Sequence, residues 1–196
     1  MSIEQNIELT HVAFVVLGLV SEHPCHGKDI NRRIEERGMR SWTAIGKSSI
    51  YGVLKNLKDK RLVESWVEEE DNRIVKMYQV TMKGTKLLKR MIYIILNEFL
   101  GKNDPDFYMA FSMLPYLTQE EQIEVFSNSL NMIQNNKKEL EDMLKHSINQ
   151  PLNVRGLFIH PIKILQADIE FLELVIKEVS KDNNYYKIES EKKVLE

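Results

Sequence analysis

KSSIYGVLKNLKDKR, residues 47–61, followed by LVESWVEEEDNRIVKMYQVT, residues 62–81, is the stretch whose reading decides the fold. Stepped at about 100° per residue, Ile50, Val53, Leu54 and Leu57 gather on one side of a helix, while Ser48, Tyr51, Gly52 and Lys55 gather on the other. The first side packs. The second combines small residues, a phenol and a cation, groups that reach base edges and phosphates in a major groove. Behind this helix, Leu62, Val63, Trp66 and Val67 and then Ile74, Val75, Met77, Tyr78 and Val80 form two β-branched or aromatic runs. The acidic stretch Glu68 to Asp71, and then Asn72, divide them, so they read as the two strands of a hairpin. A basic helix followed by a hairpin predicts a helix for the groove and a wing beside it, with Arg73 and Lys76 near the wing tip.

Charge is distributed in keeping with that reading. The net formal charge is −2, which excludes a protein coated in basic surface. Residues 1–100 nonetheless balance at +3 and residues 101–196 at −5, and residues 47–61 alone carry +4. The basic footprint is local. Cys25 is the single cysteine, so no intramolecular disulfide forms and a reducing cytoplasm is the expected compartment. The apolar run Val12 to Val20 is too short to span a bilayer and follows Glu4 and Glu8 rather than cations, so it reads as a buried helix, and no membrane association is expected. His23, Cys25 and His26 are neighbours but make an incomplete metal set with the wrong spacing for a zinc finger. The five histidines are scattered, no nucleophile sits in a recognisable elbow, and no glycine-rich loop cradles phosphate. Neither an enzyme nor a cofactor is expected.

Along the chain, a helix over residues 8–21, a short one from His26 to Arg37 stopped by Gly38, the basic helix, two strands, and a helix from the Thr81 cap to Phe99 follow one another. That is winged-helix order. Between the second and third helices, Trp42 and Ile45 are read as core plugs. In the second half, a dense apolar helix follows Pro105 and a capping box spans Thr118 to Glu121. Ile123, Phe126, Leu130, Ile133, Lys137, Leu140 and Leu144 then recur at spacings of three and four. A last helix, expected to start at Pro161, repeats the spacing with Ile162, Leu165, Ile169, Leu172, Ile176 and Val179. The two seams either pair within one chain or build a dimer, and their extent favours a dimer.

The strings SSIYGVLKNLKDKRLVES, residues 48–65, and KMYQVTMKGTKLL, residues 76–88, resemble the PadR family of transcriptional regulators. There a Ser-Ile-Tyr segment starts the recognition helix and a Tyr-x-x-Thr-x-x-Gly segment closes the wing. The resemblance covers residues 8 to about 100 and extends more loosely to the helical C-terminal region of longer, virulence-activator-like members. It implies a homodimeric repressor or activator on double-stranded DNA with a palindromic operator, often released by a small aromatic ligand. The acidic approach to the wing departs from the glycine- and arginine-rich tip of many relatives, which implies a weaker wing contact.

The expected architecture is therefore mainly α. A winged helix-turn-helix with a two-stranded wing occupies residues 1–100, a helical dimerisation and effector region residues 101–181, and a flexible tail residues 182–196. Lys47, Ser48, Ser49, Tyr51, Lys55, Arg73 and Lys76 are the candidate DNA contacts. Trp42, Tyr93, Phe107, Tyr108 and Phe111 are candidates for an apolar effector pocket, a reading weighed against their serving as plain core. The competing reading of the whole is a winged-helix module that docks on another protein without sequence-specific DNA binding, and salt dependence separates the two.

Overall fold

The computed structural model describes residues 9–43, 45–46, 49–70, 73–101 and 104–181. The predicted tail, 182–196, and Glu8, the first residue of the expected opening helix, lie outside them. The chain separates into two compact units, Met1–Arg90 and Met91–Glu196.

In the first unit, α1 (His11–Glu22) starts at Thr10, whose side chain accepts from the Ala13 amide at 3.3 Å. Every residue from Ala13 to Val20 is buried. A helix apolar all round forms the middle of a core, and the others are built around it. A two-residue strand, β1 (Cys25–His26), leads into α2 (Gly27–Glu36). A capping box starts α2: His26 Nδ1 accepts from the Asp29 amide at 3.1 Å, and the Asp29 carboxylate accepts from the His26 amide at 3.3 Å. Gly38, at φ 61°, stops the helix as expected. Ile45 is buried and Trp42 half-buried. The basic helix is α3 (Ser49–Asp59), and Arg61, at φ 59°, closes it.

The wing is longer than predicted, with β2 (Val63–Glu70) paired antiparallel to β3 (Arg73–Val80) in a register running from Val63 opposite Val80 to Glu70 opposite Arg73. It also has a third strand. β1 pairs with β3, Cys25 opposite Tyr78 and His26 opposite Met77, giving the order β1-β3-β2. Two residues cannot display a period of two, so β1 left no pattern in the sequence. Thr81 joins wing to helix. Its hydroxyl donates to the Arg61 carbonyl at 2.8 Å and accepts from the Gly84 amide at 3.1 Å, capping α4 (Met82–Asn97) as predicted. Gly84 lies so close to the preceding turn that a Cβ there would stand 2.1 Å from the Leu62 carbonyl oxygen, a backbone atom with nowhere to go.

In the second unit, which begins within α4, α5 (Pro105–Ser112) starts at Pro105 as expected, and the Thr118–Glu121 capping box starts α6 (Gln119–His146). The buried Gln122 amide donates to the Leu114 and Leu117 carbonyls at 3.1 and 2.9 Å, fixing the turn between α5 and α6. Ser129, also buried, donates to the Leu96 carbonyl at 2.6 Å. The last helix, α7 (Leu152–Ser180), does not begin at Pro161 but passes through it. Proline at an inner position removes one amide donor, and a helix of 29 residues packed along a partner retains the rest. α6 and α7 pack as an antiparallel hairpin, with the Gln119 side chain donating to the Val179 carbonyl at 2.7 Å. The two seams thus meet each other inside the chain, and Lys137, the cation of the α6 seam, pairs with Glu141 one turn on at 2.7 Å. No helix among the described residues is long and apolar enough to cross a membrane.

One polar cluster ties α1 to α2. Arg33 is buried and donates to the Leu19 carbonyl at 2.8 Å and to Glu22 at 3.1 Å, while Arg37 grips the same carboxylate at 2.5 and 2.7 Å. Burial works to raise the Glu22 carboxyl, but the Arg37 hydrogen bond and the charges of Arg37 and Arg33 outweigh it and hold the group below the ordinary glutamate value. A carboxyl depressed only in the folded state stabilises fully above its unfolded value, and the contribution disappears as pH falls through the folded value. Glu22→Gln is expected to cost about 1 kcal/mol at neutral pH, the carboxylate being one-third exposed and partly screened. Thermal melts of both proteins at neutral and acid pH check this: the gap should close on acidification.

Candidate nucleic-acid interface

α3 divides as its sequence predicts. Ile50, Leu54 and Leu57 are fully buried, and the helix packs on α1 and α2. Tyr51, 53% exposed, together with Gly52, Lys55 and Asn56, faces solvent. Ser49 opens the helix, its side chain outside the described set, and Lys47 and Ser48 lie outside the described residues altogether. The outward face therefore rests on Tyr51 and Lys55.

Between the N-terminus of α2 and the wing lies a cleft of about 630 Å³, lined among others by Gly27, Lys28, Tyr51, Arg73, Ile74 and Lys76. Lys28, Arg73 and Lys76 make its rim cationic, a surface that attracts a polyanion. The two wing cations are not equivalent. Residues of a strand alternate between faces, so Arg73 and Lys76 leave β3 on opposite sides. The register sets Arg73 opposite Glu70, while Lys76 stands opposite Val67 and holds its ammonium 5.6 Å from the centre of the Tyr78 ring. Ile74 is 82% exposed, an apolar side chain held out at the wing tip.

Sequence reasoning missed Lys28. Its position after the His26 cap marked it only as an early helix residue, and the pairing of β1 with β3 is what brings it beside the wing. Among the described residues, no cluster of three or more His, Cys, Asp or Glu side chains is arranged to hold a metal.

The five aromatic candidates fall in different units. Trp42 belongs to the first. Tyr93, Phe107, Tyr108 and Phe111 belong to the second. There Phe107 is buried and stacks on Phe99, ring centres 3.8 Å apart, and Phe111 approaches Phe126 at 6.0 Å and Phe171 at 5.4 Å. Tyr108, 45% exposed, meets Phe107 edge-on at 6.0 Å. Tyr93 stands apart from these rings, hydrogen-bonded to Glu124, whose carboxylate raises the phenol. Phe171 was not singled out from the sequence, although Leu157, Ile164 and Phe171 recur every seven residues along α7.

Three helices, a hairpin wing and an outward helix face beside a cationic cleft define the first unit as a winged helix-turn-helix. Residues 16–90 match the transcriptional regulator PadR-like family. The match spans less than half of the chain. Among solved structures, the chain is similar to Bacillus subtilis PadR in complex with operator DNA, at 17% identity over 87% of this chain and 99% of that one, with a TM-score of 0.42. It is also similar to the same protein in complex with p-coumaric acid, at 18% identity over 88% and 97%, TM-score 0.38. A PadR family regulator from hypervirulent Clostridium difficile is similar at 22% identity over 47% of this chain and all of that one, TM-score 0.38. No curated protein matches the chain.

The two faces of α3 differ in what they cost to change. Leu54→Ala should destabilise the fold by about 2–5 kcal/mol through the cavity it opens. Tyr51→Ala and Lys55→Ala should stay within about 0.5 kcal/mol of the parent, as substitutions of exposed side chains do. Urea titrations followed by circular dichroism separate the two outcomes; equal losses from all three would mean that α3 is packed on both sides.

Proposed function

We propose that this protein is a sequence-specific, DNA-binding transcriptional regulator that works as a homodimer, reads a palindromic operator and is released by a small aromatic compound, most simply as a repressor. The observation that carries the reading is the division of α3, with three apolar side chains sunk in the core and Tyr51 and Lys55 held outward beside a cleft rimmed by Lys28, Arg73 and Lys76. Such a helix enters the major groove while the wing tracks the neighbouring backbone. The match of residues 16–90 to PadR-like regulators supports it.

Dimerisation is supported by α7. One side of this helix closes the hairpin with α6, burying Leu165, Ile169, Leu172 and Val175. Another carries Leu157, Ile164, Phe171 and Leu174, which remain 37–70% exposed. A second copy covers such a stripe and brings two α3 helices into one molecule, and the half-sites of a palindromic operator lie about 34 Å apart, one turn of DNA. Phe171 belongs both to this stripe and to the ring cluster of Phe107 and Phe111. An aromatic effector that enters among those rings displaces a side chain of the dimer surface, which links ligand to operator release.

The wing favours a second reading at one point. Val67 and Ile74 are 64% and 82% exposed, and Glu68 and Glu69 lie beside them, a mixture suited to a protein partner. Ionic strength decides between them. A duplex selected by the protein from random-sequence DNA should bind with an affinity that falls steeply with salt, and Lys55→Ala should flatten the log-log slope by about one. Tyr51→Ala should weaken binding at every salt concentration. The pair Arg73→Ala and Lys76→Ala should lower affinity without changing the preferred bases. A salt-independent interaction, or one indifferent to both α3 variants, would assign the surface to a protein partner instead.

Assembly is checked separately. Leu157→Asp with Leu174→Asp alters only exposed positions and should give a folded monomer by light scattering. Affinity for the full operator should then drop about 10²-fold, while affinity for a half-site stays the same. A variant that remains dimeric would place the interface elsewhere.

A further inference from the structure

We propose that Gly27 is a positioning residue for DNA reading, one whose missing side chain sets the orientation of Tyr51; the inference rests on the role given to α3 above. Gly27 is the first residue of α2, and one edge of the Tyr51 ring lies against it. A Cβ at this position would stand 2.6 Å from Cε1, 3.0 Å from Cζ and 3.2 Å from Cδ1 of that ring. Real carbon contacts do not come so close, so any other residue at 27 forces a displacement. Which partner moves follows from how each is held. Gly27 is fixed at the start of a helix by the capping box between His26 and Asp29 and by the pairing of β1 with β3. The Tyr51 ring is the end of a rotatable side chain, half exposed. The ring gives way.

The three atoms nearest to a Cβ built at Gly27 all belong to the Tyr51 ring. Gly27 has an ordinary helical backbone rather than the left-handed conformation of Gly38, and alanine is the better helix former. The contact with Tyr51 is the feature that accounts for the residue. Held on one edge by the α2 backbone, the ring turns its free side to the cleft that Lys28, Ile74 and Lys76 also line. A contact residue restrained before binding loses less freedom on binding, so Gly27 contributes to affinity through Tyr51.

Gly27→Ala is the direct test, made in the full-length protein with a duplex selected by the parent from random-sequence DNA. Binding should weaken about tenfold, comparable to the lower end of what a well-placed base contact is worth, with the melting temperature unchanged or slightly raised. In a Tyr51→Ala background the same change should cost nothing further. Nuclear magnetic resonance gives a readout that needs no DNA: the Gly27 Hα signals should be displaced by the ring current of Tyr51 and move on Tyr51→Ala. Equal losses in both backgrounds, a fall of several degrees in melting temperature, or Hα signals indifferent to Tyr51→Ala would each overturn the proposal. If Tyr51→Ala itself leaves binding intact, or no duplex is selected, the assignment of α3 as the reading helix fails and takes this inference with it. If Tyr51→Ala weakens binding and Gly27→Ala does not, that assignment stands and this inference alone is wrong.

Discussion

The burial of α1 on all sides is the constraint on which the first unit depends. Eight consecutive residues, Ala13 to Val20, are buried, so every neighbour must offer this helix an apolar face. α3 meets it with Ile50, Leu54 and Leu57. Once those three are committed inward, 100° geometry leaves Tyr51 and Lys55 no orientation but outward. The outward surface of α3 is in this sense a by-product of the surface that packs. Arg33, Arg37 and Glu22 then lock α2 to the end of α1, and the start of α2 is brought beside the wing by the two ladder pairs of β1.

In the second unit, a polar device does comparable work. Gln122 and Ser129 are buried and satisfied by backbone carbonyls of the segments that precede α6. Apolar seams alone tolerate sliding by a turn. Hydrogen bonds from buried side chains to particular carbonyls do not, because a slipped register would leave them unpaired. The antiparallel α6–α7 hairpin can consequently commit one face of α7 to its own chain and leave the stripe of Leu157, Ile164, Phe171 and Leu174 for another purpose.

Most of the first unit was legible because its signals are periodic. The α3 faces, the two wing strands and the Thr81 cap each repeat or cap at a spacing that one sequence displays, as does the Thr118 box of the second unit. What was not legible depends on contacts between distant residues. β1 is two residues long and exists only because β3 is there to pair with it. Lys28 joins the cleft for the same reason. The opposite facing of Arg73 and Lys76 follows from strand alternation, but their unequal surroundings depend on a register that the sequence did not specify. At Pro161, a rule about helix starts was outweighed by the packing available to a long helix. For the aromatic residues of the second half, sequence identified ring-rich helices without distinguishing Phe107, closed in by stacking, from Phe171, partly open to solvent.

Among the described residues, the order β1-β3-β2 leaves β2 with no strand paired along its outer edge. An eight-residue strand carrying Val67 and Trp66 is a template onto which another extended chain can add, and repeated addition is how soluble proteins are lost to aggregates. Glu64, Glu68 and Glu69 are exposed on this strand, so a second copy approaching edge to edge would meet its own charges. The acidity of the wing thus has a use apart from anything the wing contacts. It opposes the edge-to-edge addition that the exposed apolar side chains of the strand would otherwise invite.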